Sequence, residues 1–321
     1  MTILNIAQIE YAPVVLIAYN RVEHVNQTLE ALSLNIDAEN TELYCYVDGP
    51  KNIHDAKSQT MIISIIKQYK ESFKSVKIIH RKTNYGLAIN ISQAVTETIS
   101  KYGKVIVVED DIITSKSFIK YMNDALKFYE NEKKVWHISA HSEINFKERA
   151  NEIYLWRLMN CWGWATWKDR WDYYEKNPKS LINEFNSEMV KKFDLNESGI
   201  FWRQIIANAT QEIDTWAIFW YATIFKHQGL CVSPFYSYSA NIGFDGSGVH
   251  CGSDEVKQER QILNHHGNFV GKVELIEDKK ALQLNEVSYS PKKKRLRYKI
   301  KILTKIALKK FKNNIKNYIK N

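Results

Sequence analysis

Lys104-Val-Ile-Val-Val-Glu-Asp-Asp111 decides the fold of this chain. Val105 to Val108 is a run of β-branched residues, too short for a helix and apolar on every side, the pattern of a strand buried on both faces of a parallel sheet. Three acids, Glu109, Asp110 and Asp111, follow without a spacer. Open α/β sheets bind ligands at the carboxyl ends of their strands, so these acids stand where chemistry is expected. Carboxylate oxygens combined with phosphate oxygens suit a hard divalent cation, Mg2+ or Mn2+. An acidic triplet elsewhere in a sequence reads as a solvated turn; its place after a buried strand favours the metal here.

Upstream, the pattern repeats. Pro13-Val-Val-Leu-Ile-Ala-Tyr19 is a buried strand, and Asn20-Arg21 opens a helical spacing of Val22, Val25, Leu29 and Leu32. Leu43 to Val47 is the second strand, closing on Asp48-Gly49-Pro50, with Ile62, Ile65, Ile66 and Tyr69 on one face of the helix that follows. Val76 to His80 leads through Arg81-Lys-Thr-Asn84-Tyr-Gly86 into a third helix. Four such alternations predict an α/β fold, a mostly parallel sheet with helices on both faces. Asn20, Asp48, Arg81 and Glu109–Asp111 each follow a strand end and are expected to converge on one crevice.

Downstream, a helix is expected near 117–131 and a strand near 135–140. Eight of the nine tryptophans fall between Trp156 and Trp220, which marks a second, aromatic-rich half. The 321 residues suit one catalytic domain with extensions. A hydrophobic fraction of 45% excludes a disordered chain. Cys45, Cys161, Cys231 and Cys251 form no CxxC pair, so neither a zinc site nor a disulfide framework is indicated and a reducing compartment fits. The apolar run from Ala12 to Tyr19 is too short for a signal or a spanning helix, and a cytoplasmic protein, peripheral on the cytosolic face of a membrane, is expected.

These motifs, in this order, resemble those of the nucleotide-sugar-dependent glycosyltransferases of the glycosyltransferase-A fold, in which a DXD-type acidic motif holds the metal. Within that superfamily the chain is most similar to the N-acetylglucosaminyltransferase I and protein O-mannose N-acetylglucosaminyltransferase group. The likeness runs through Ala18-Tyr19-Asn20-Arg21, the Glu109-Asp110-Asp111 motif with its Ser117-Phe118 helix, and Trp136-His-Ile-Ser139-Ala140. It continues through Trp162-Gly163-Trp164, Asp214-Thr215-Trp216 and Gly248-Val249-His250-Cys251-Gly252. Asp48-Gly49-Pro50 and Arg81 to Asn84 look instead like the inverting bacterial polysaccharide transferases. The resemblance implies a nucleotide-sugar-binding half over 1–112, an acceptor and catalytic half of the same domain over 113–255, and an extension over 256–290.

Carried over position by position, the resemblance makes Asp111 the metal ligand and gives Glu109 and Asp110 ribose and sugar hydroxyl contacts. Tyr19, Asn20 and Arg21 would line the nucleotide pocket, Asp48 would accept from nucleobase or ribose, and Arg81 would meet the diphosphate or base. The backbone of Asn84-Tyr85-Gly86, at a helix start, would favour an anionic ligand, unless Gly86 only permits a tight entry. Inversion needs a base on the acceptor hydroxyl; Asp214 is the candidate, with a helix N-cap as its structural alternative. Glu143 is the second candidate and fits better as a holder of a substrate hydroxyl. His250, in a glycine-flanked loop, would approach the metal or diphosphate. Trp162 and Trp164 are the candidates for stacking on an acceptor sugar. The implied reaction moves N-acetylglucosamine from a UDP-sugar to a glycan or glycolipid hydroxyl. Another donor sugar, or a non-catalytic glycan-binding protein docked on a membrane, are the alternatives.

The basicity of the chain is local. Residues 291–321 carry 13 of the 45 Lys and Arg and none of the 36 acids, so the other 290 residues hold 32 bases against 36 acids, a balance of −4. That acidic body argues against a nucleic-acid partner. Leu296, Ile300, Leu303, Ala307, Phe311, Ile315 and Ile319 form one helical stripe bordered by lysines, a basic amphipathic pattern suited to an anionic membrane surface.

Overall fold

The computed structural model describes residues 11–144, 149, 151–196, 198–244, 269, 271–272 and 274–289. The expected alternation is present: β1 (Val14–Ala18), α1 (Val22–Ser33), β2 (Glu42–Val47), α2 (Ile53–Gln68), β3 (Ser75–His80), α3 (Leu87–Tyr102) and β4 (Lys104–Glu109). A short β5 (Ile112–Thr114) follows the acids, then α4 (Phe118–Phe128), β6 (Val135–Ser139), β7 (Ile153–Trp156) and β8 (Trp164–Trp167). Helices α5 (Lys168–Trp171), α6 (Pro178–Glu184), α7 (Ser187–Phe193), α8 (Phe201–Ala209) and α9 (Ala217–Lys226) lead to β9 (Leu230–Pro234), β10 (Ser239–Asn241) and α10 (Lys279–Tyr289). The basic tail, the loop bearing His250 and residues 256–268 of the extension lie outside the described residues.

Eight strands form one sheet in the order β3-β2-β1-β4-β8-β6-β9-β7. β1 pairs in parallel with β2 and with β4, and β2 with β3; β8 runs antiparallel between β4 and β6, which makes β4 and β6 point the same way. The carboxyl ends of β1 to β4 and β6 therefore share one edge of the sheet. Registers fix how far each strand reaches: Ala18 lies opposite Val47, Val47 opposite His80, and Ile17 opposite Glu109.

Strand side chains alternate between two cores, one on each face. Val15, Ile17, Tyr44, Tyr46, Val105 and Val107 pack with Ala88, Ile91, Val95 and Ile99 of α3 and with the tryptophans. Val14, Leu16, Leu43, Cys45, Ile106 and Val108 pack with Val25 and Leu29 of α1, Ile62 and Ile66 of α2, and α4. This is the two-faced burial that the continuous apolar runs imply. The pairing of β5 with β10 in a separate two-stranded sheet is not visible in the sequence pattern, and it sets Asn241 opposite Ile112, beside the acids.

Candidate active site

At the end of β4 the acids are drawn onto the third residue past β1, Arg21. Arg21 pairs with Asp110 and, at 2.9 Å, with Asp111. Asp110 and Asp111 are buried. Desolvation, then the neighbouring charges of Asp111 and Asp110, pushes Glu109 above the usual carboxylate range. Burial likewise raises Asp110, outweighing the Arg21 charge that opposes it. Burial would pull Arg21 down, but the two aspartates more than offset it and raise its pKa. One guanidinium thus faces three clustered carboxyls, and the site is short of positive charge.

The cluster is braced from three sides. Thr28 of α1 donates to the Asp110 carbonyl at 2.7 Å. Past β10, Ile242 N–H donates to the Asp111 carbonyl at 2.9 Å, and the Asn241 amide lies 3.4 Å from the Asp111 carboxylate. Gly243 passes so close that a Cβ there would sit 2.4 Å from Asp111 Oδ2 and 3.1 Å from Arg21 Nη1. Arg21 Nη1 is buried without a hydrogen-bond partner among the described residues.

Tyr19 and Asn20 meet at Asp55, with the Tyr19 hydroxyl donating at 2.6 Å and the Asn20 amide at 2.8 Å. Asp55 sits in the first turn of α2, whose N-cap Asn52 accepts from its backbone N–H at 3.0 Å, so one helix start anchors the β1–α1 loop. Asp48 is equally committed. Its carboxylate accepts from Gly49 N–H, the Asn84 amide, Tyr85 N–H and Gly86 N–H, all at 2.8–3.0 Å. The anion at the start of α3 is thus the protein's own Asp48, which takes the N–H groups expected to meet a ligand anion. Gly86 enters α3 at φ 77, where a side chain would be strained, and a Cβ on Gly49 would lie 2.2 Å from the Thr83 carbonyl carbon. Both glycines permit the bracket.

The other expected residues are placed less uniformly. Arg81 reaches Glu97 at 3.0 Å and stacks over Tyr46 and Tyr85, held on α3 apart from the acids. Trp164 is wholly buried, its ring against His137 at 5.4 Å and Trp216 at 5.2 Å. It has no face to offer an acceptor, because the start of β8 is interior to the sheet; the stacking role expected of it is corrected to a core role. Trp162 is half-buried, 4.4 Å from His141 and edge-on to Phe244 at 5.6 Å. Glu143, past β6, is exposed and 3.9 Å from His141. Phe244 follows Gly243, so contacts run from Asp111 through Trp162 and His141 to Glu143. Asp214 lies in the turn before α9, 62% exposed and paired with Lys176. It does not cap α9, whose N-cap is Trp216 without a side-chain bond. His250 lies outside the described residues.

Thr28, Asp55, Asn241 and Gly243 belong to this site and escape a reading of strand ends. Asp55 has a local signal, an Asn three residues earlier at a helix start. Thr28 has none. The donor set fits a hard cation as a partial shell of carboxylate oxygens that phosphate oxygens would complete. A full protein cage is absent: among the described residues no three His, Cys, Asp or Glu are arranged to hold a metal ion.

Solved structures and a family profile resemble parts of this chain. TarS of S. aureus is 16% identical with a TM-score of 0.32, over 44% of this chain and 24% of that one. Its residues 1–349 in complex with UDP are 17% identical with a TM-score of 0.33, over 45% and 40%. The mannosyltransferase PcManGT from Pyrobaculum calidifontis, in complex with GDP-Man and Mn2+, is 10% identical with a TM-score of 0.40, over 68% and 71%. The aligned part thus spans well under half of either TarS chain. No curated protein matches. The profile of the GNT-I family matches residues 3–192, which takes in Arg21, the three acids, Glu143 and both Trp162 and Trp164 and stops short of Asp214. That match covers more than half of the 321 residues: the chain belongs to the GNT-I family and is a glycosyltransferase.

Proposed function

We propose that the chain transfers N-acetylglucosamine, with inversion, from a UDP-sugar to a hydroxyl of a glycan or glycolipid, and that it requires Mn2+ or Mg2+. The observation that carries the reading is the Glu109-Asp110-Asp111 cluster at the shared carboxyl edge, with Asp110 and Asp111 buried and both paired to Arg21. Asp111 would hold the divalent cation, with His250 as a second candidate ligand. Bound there, the cation would offset charge on the departing diphosphate. Glu109 and Asp110 would meet ribose and sugar hydroxyls, and Tyr19, Asn20 and Arg21 would line the nucleotide. Asp48 and Arg81 act in this reading through the loops they fix.

Asp214 is the proposed base. Its carboxylate takes the acceptor proton as the acceptor oxygen bonds the anomeric carbon and the bond to the diphosphate breaks. The Asp214 turn is supported for this role by Trp216, which stacks on Trp164 in register with Val107, two residues before Glu109. Glu143 would hold an acceptor hydroxyl beside Trp162. A non-catalytic glycan-binding role is disfavoured by burial, because Trp156, Trp164, Trp167, Trp171, Trp216 and Trp220 are all core residues. Residues 291–321 would dock on an anionic membrane; among the described residues no helix is long and apolar enough to cross one.

A screen of nucleotide sugars for donor hydrolysis and thermal stabilisation, with and without Mn2+, tests the reading, since a ligand of the folded state raises its apparent stability. UDP-N-acetylglucosamine should give the largest Mn2+-dependent response. A response to no nucleotide sugar would refute it.

A further inference from the structure

We infer that Arg21 is a tethered internal cation occupying the acid pair in place of the divalent metal, so that metal and nucleotide bind only as mutual replacements for it. This rests on the proposed metal-dependent use of a nucleoside diphosphate. Three observations lead to it. The guanidinium pairs with both Asp110 and Asp111, the carboxylates proposed for sugar and metal. Its Nη1 is buried and unbonded among the described residues, so the arginine is only partly satisfied where it sits. Gly243 closes over the pair too tightly even for a methyl group, so on that side Asp111 has no room for a metal ion beside Arg21.

The consequence is a linkage. A divalent cation alone must displace Arg21 and leave its partly buried charge unpaired, which is costly. A diphosphate alone would be drawn to Arg21 while adding anionic charge beside three carboxyls. Together the two solve both problems: the cation takes the aspartates and the diphosphate takes the guanidinium. Binding of each should therefore strengthen the other by the same factor.

The test is Mn2+ binding, followed through the electron paramagnetic resonance signal of free Mn2+, for the wild type, Arg21→Gln and Arg21→Lys, each with and without UDP. Thermal melts with and without Mn2+ accompany it. The wild type should bind Mn2+ weakly alone and strongly with UDP. Arg21→Gln should bind Mn2+ alone about tenfold more tightly than the wild type, and its gain from UDP should shrink by a similar factor. Arg21→Lys, which keeps the charge, should stay close to the wild type. If Arg21→Gln proves too unstable without metal, Mn2+ alone should raise its melting temperature more than it raises that of the wild type. Equal Mn2+ affinity in all three proteins, with UDP still enhancing it, would overturn the role of Arg21 and leave the metal-dependent reading intact. Absence of Mn2+ binding in every protein, with UDP present, would overturn both.

Discussion

His137 shows how much one buried ring can constrain. It is wholly buried in β6, where Trp220 Nε1–H donates to its Nδ1 at 3.1 Å, so Nδ1 carries no proton and Nε2 faces the Asn160 carbonyl at 3.1 Å. Burial lowers its pKa from 6.5 to about 3, against the small upward pull of the Asn160 carbonyl. The unfolded chain therefore takes up a proton below pH 6.5 that the folded chain refuses until near pH 3. The stability due to this group is complete above pH 6.5 and lost as the pH falls through that window, by about 1.4 kcal/mol per pH unit. Urea titrations from pH 7 to 4 should show this slope, and His137→Asn should flatten it; an unchanged slope would move the acid sensitivity elsewhere. At the acid cluster, Asp111→Asn should abolish transfer and Mn2+-dependent donor binding, read by turnover and thermal shift, and full Mn2+-dependent activity in the variant would remove Asp111 from the metal. These acids were legible in the sequence because a buried strand leads directly into them. Thr28 was not, because a threonine in the middle of an amphipathic helix looks the same whether it faces solvent or a carbonyl.

Two elements carry most of what the sequence left open. The bracket from β2 to α3 depends on Asp48, whose position before Gly-Pro is legible only as a turn former, while its partners lie 36 to 38 residues away. Asp48→Ala leaves two buried or half-buried backbone N–H groups without their acceptor, and the Asn84 amide with only the Gly49 carbonyl. It should cost about 2–4 kcal/mol, a few unsatisfied donors at 1–3 kcal/mol each with partial relief by water. Chemical denaturation measures it, and a loss under 1 kcal/mol, on the order of an ordinary surface change, would show the bracket to be dispensable. The α8–α9 turn is the other element. Family likeness singled out Asp214 there, and the turn's footing became visible only through Trp216 on Trp164. Asp214→Asn should keep Mn2+ and donor binding and lower turnover by roughly 10²–10⁴-fold. Normal turnover would move the base to Glu143, whose contacts through His141 and Trp162 lead back to Asp111.

Across the whole molecule the chain is divided by charge. The sheet gathers strand ends that are far apart in sequence onto one edge, which the alternation of apolar runs foretold. It could not foretell β8 running backwards between β4 and β6, because a four-residue strand of Trp-Ala-Thr-Trp carries no direction in its pattern. Nor could it tell core tryptophans from binding ones, since the same rings serve both. The basic tail stands outside this logic: its 13 bases face a body of balance −4, so attraction to an anionic surface is concentrated in residues 291–321. Each base near such a surface contributes about 1 kcal/mol, and the attraction decays over a Debye length of about 8 Å at physiological ionic strength. Full-length protein should therefore sediment with vesicles containing anionic lipid, release as salt is raised, and ignore neutral vesicles. Truncation before residue 291 should abolish sedimentation and preserve the fold, because α10, described over Lys279–Tyr289, is fixed upstream of the cut by Asp278, which caps it, and by the buried Ala281 and Asn285. Transfer to a short soluble acceptor should survive the same cut, every proposed catalytic group lying well upstream of it. A truncated protein that still bound vesicles would place the membrane surface on the body of the enzyme, and one that lost its melting transition would make residues 291–321 part of the core.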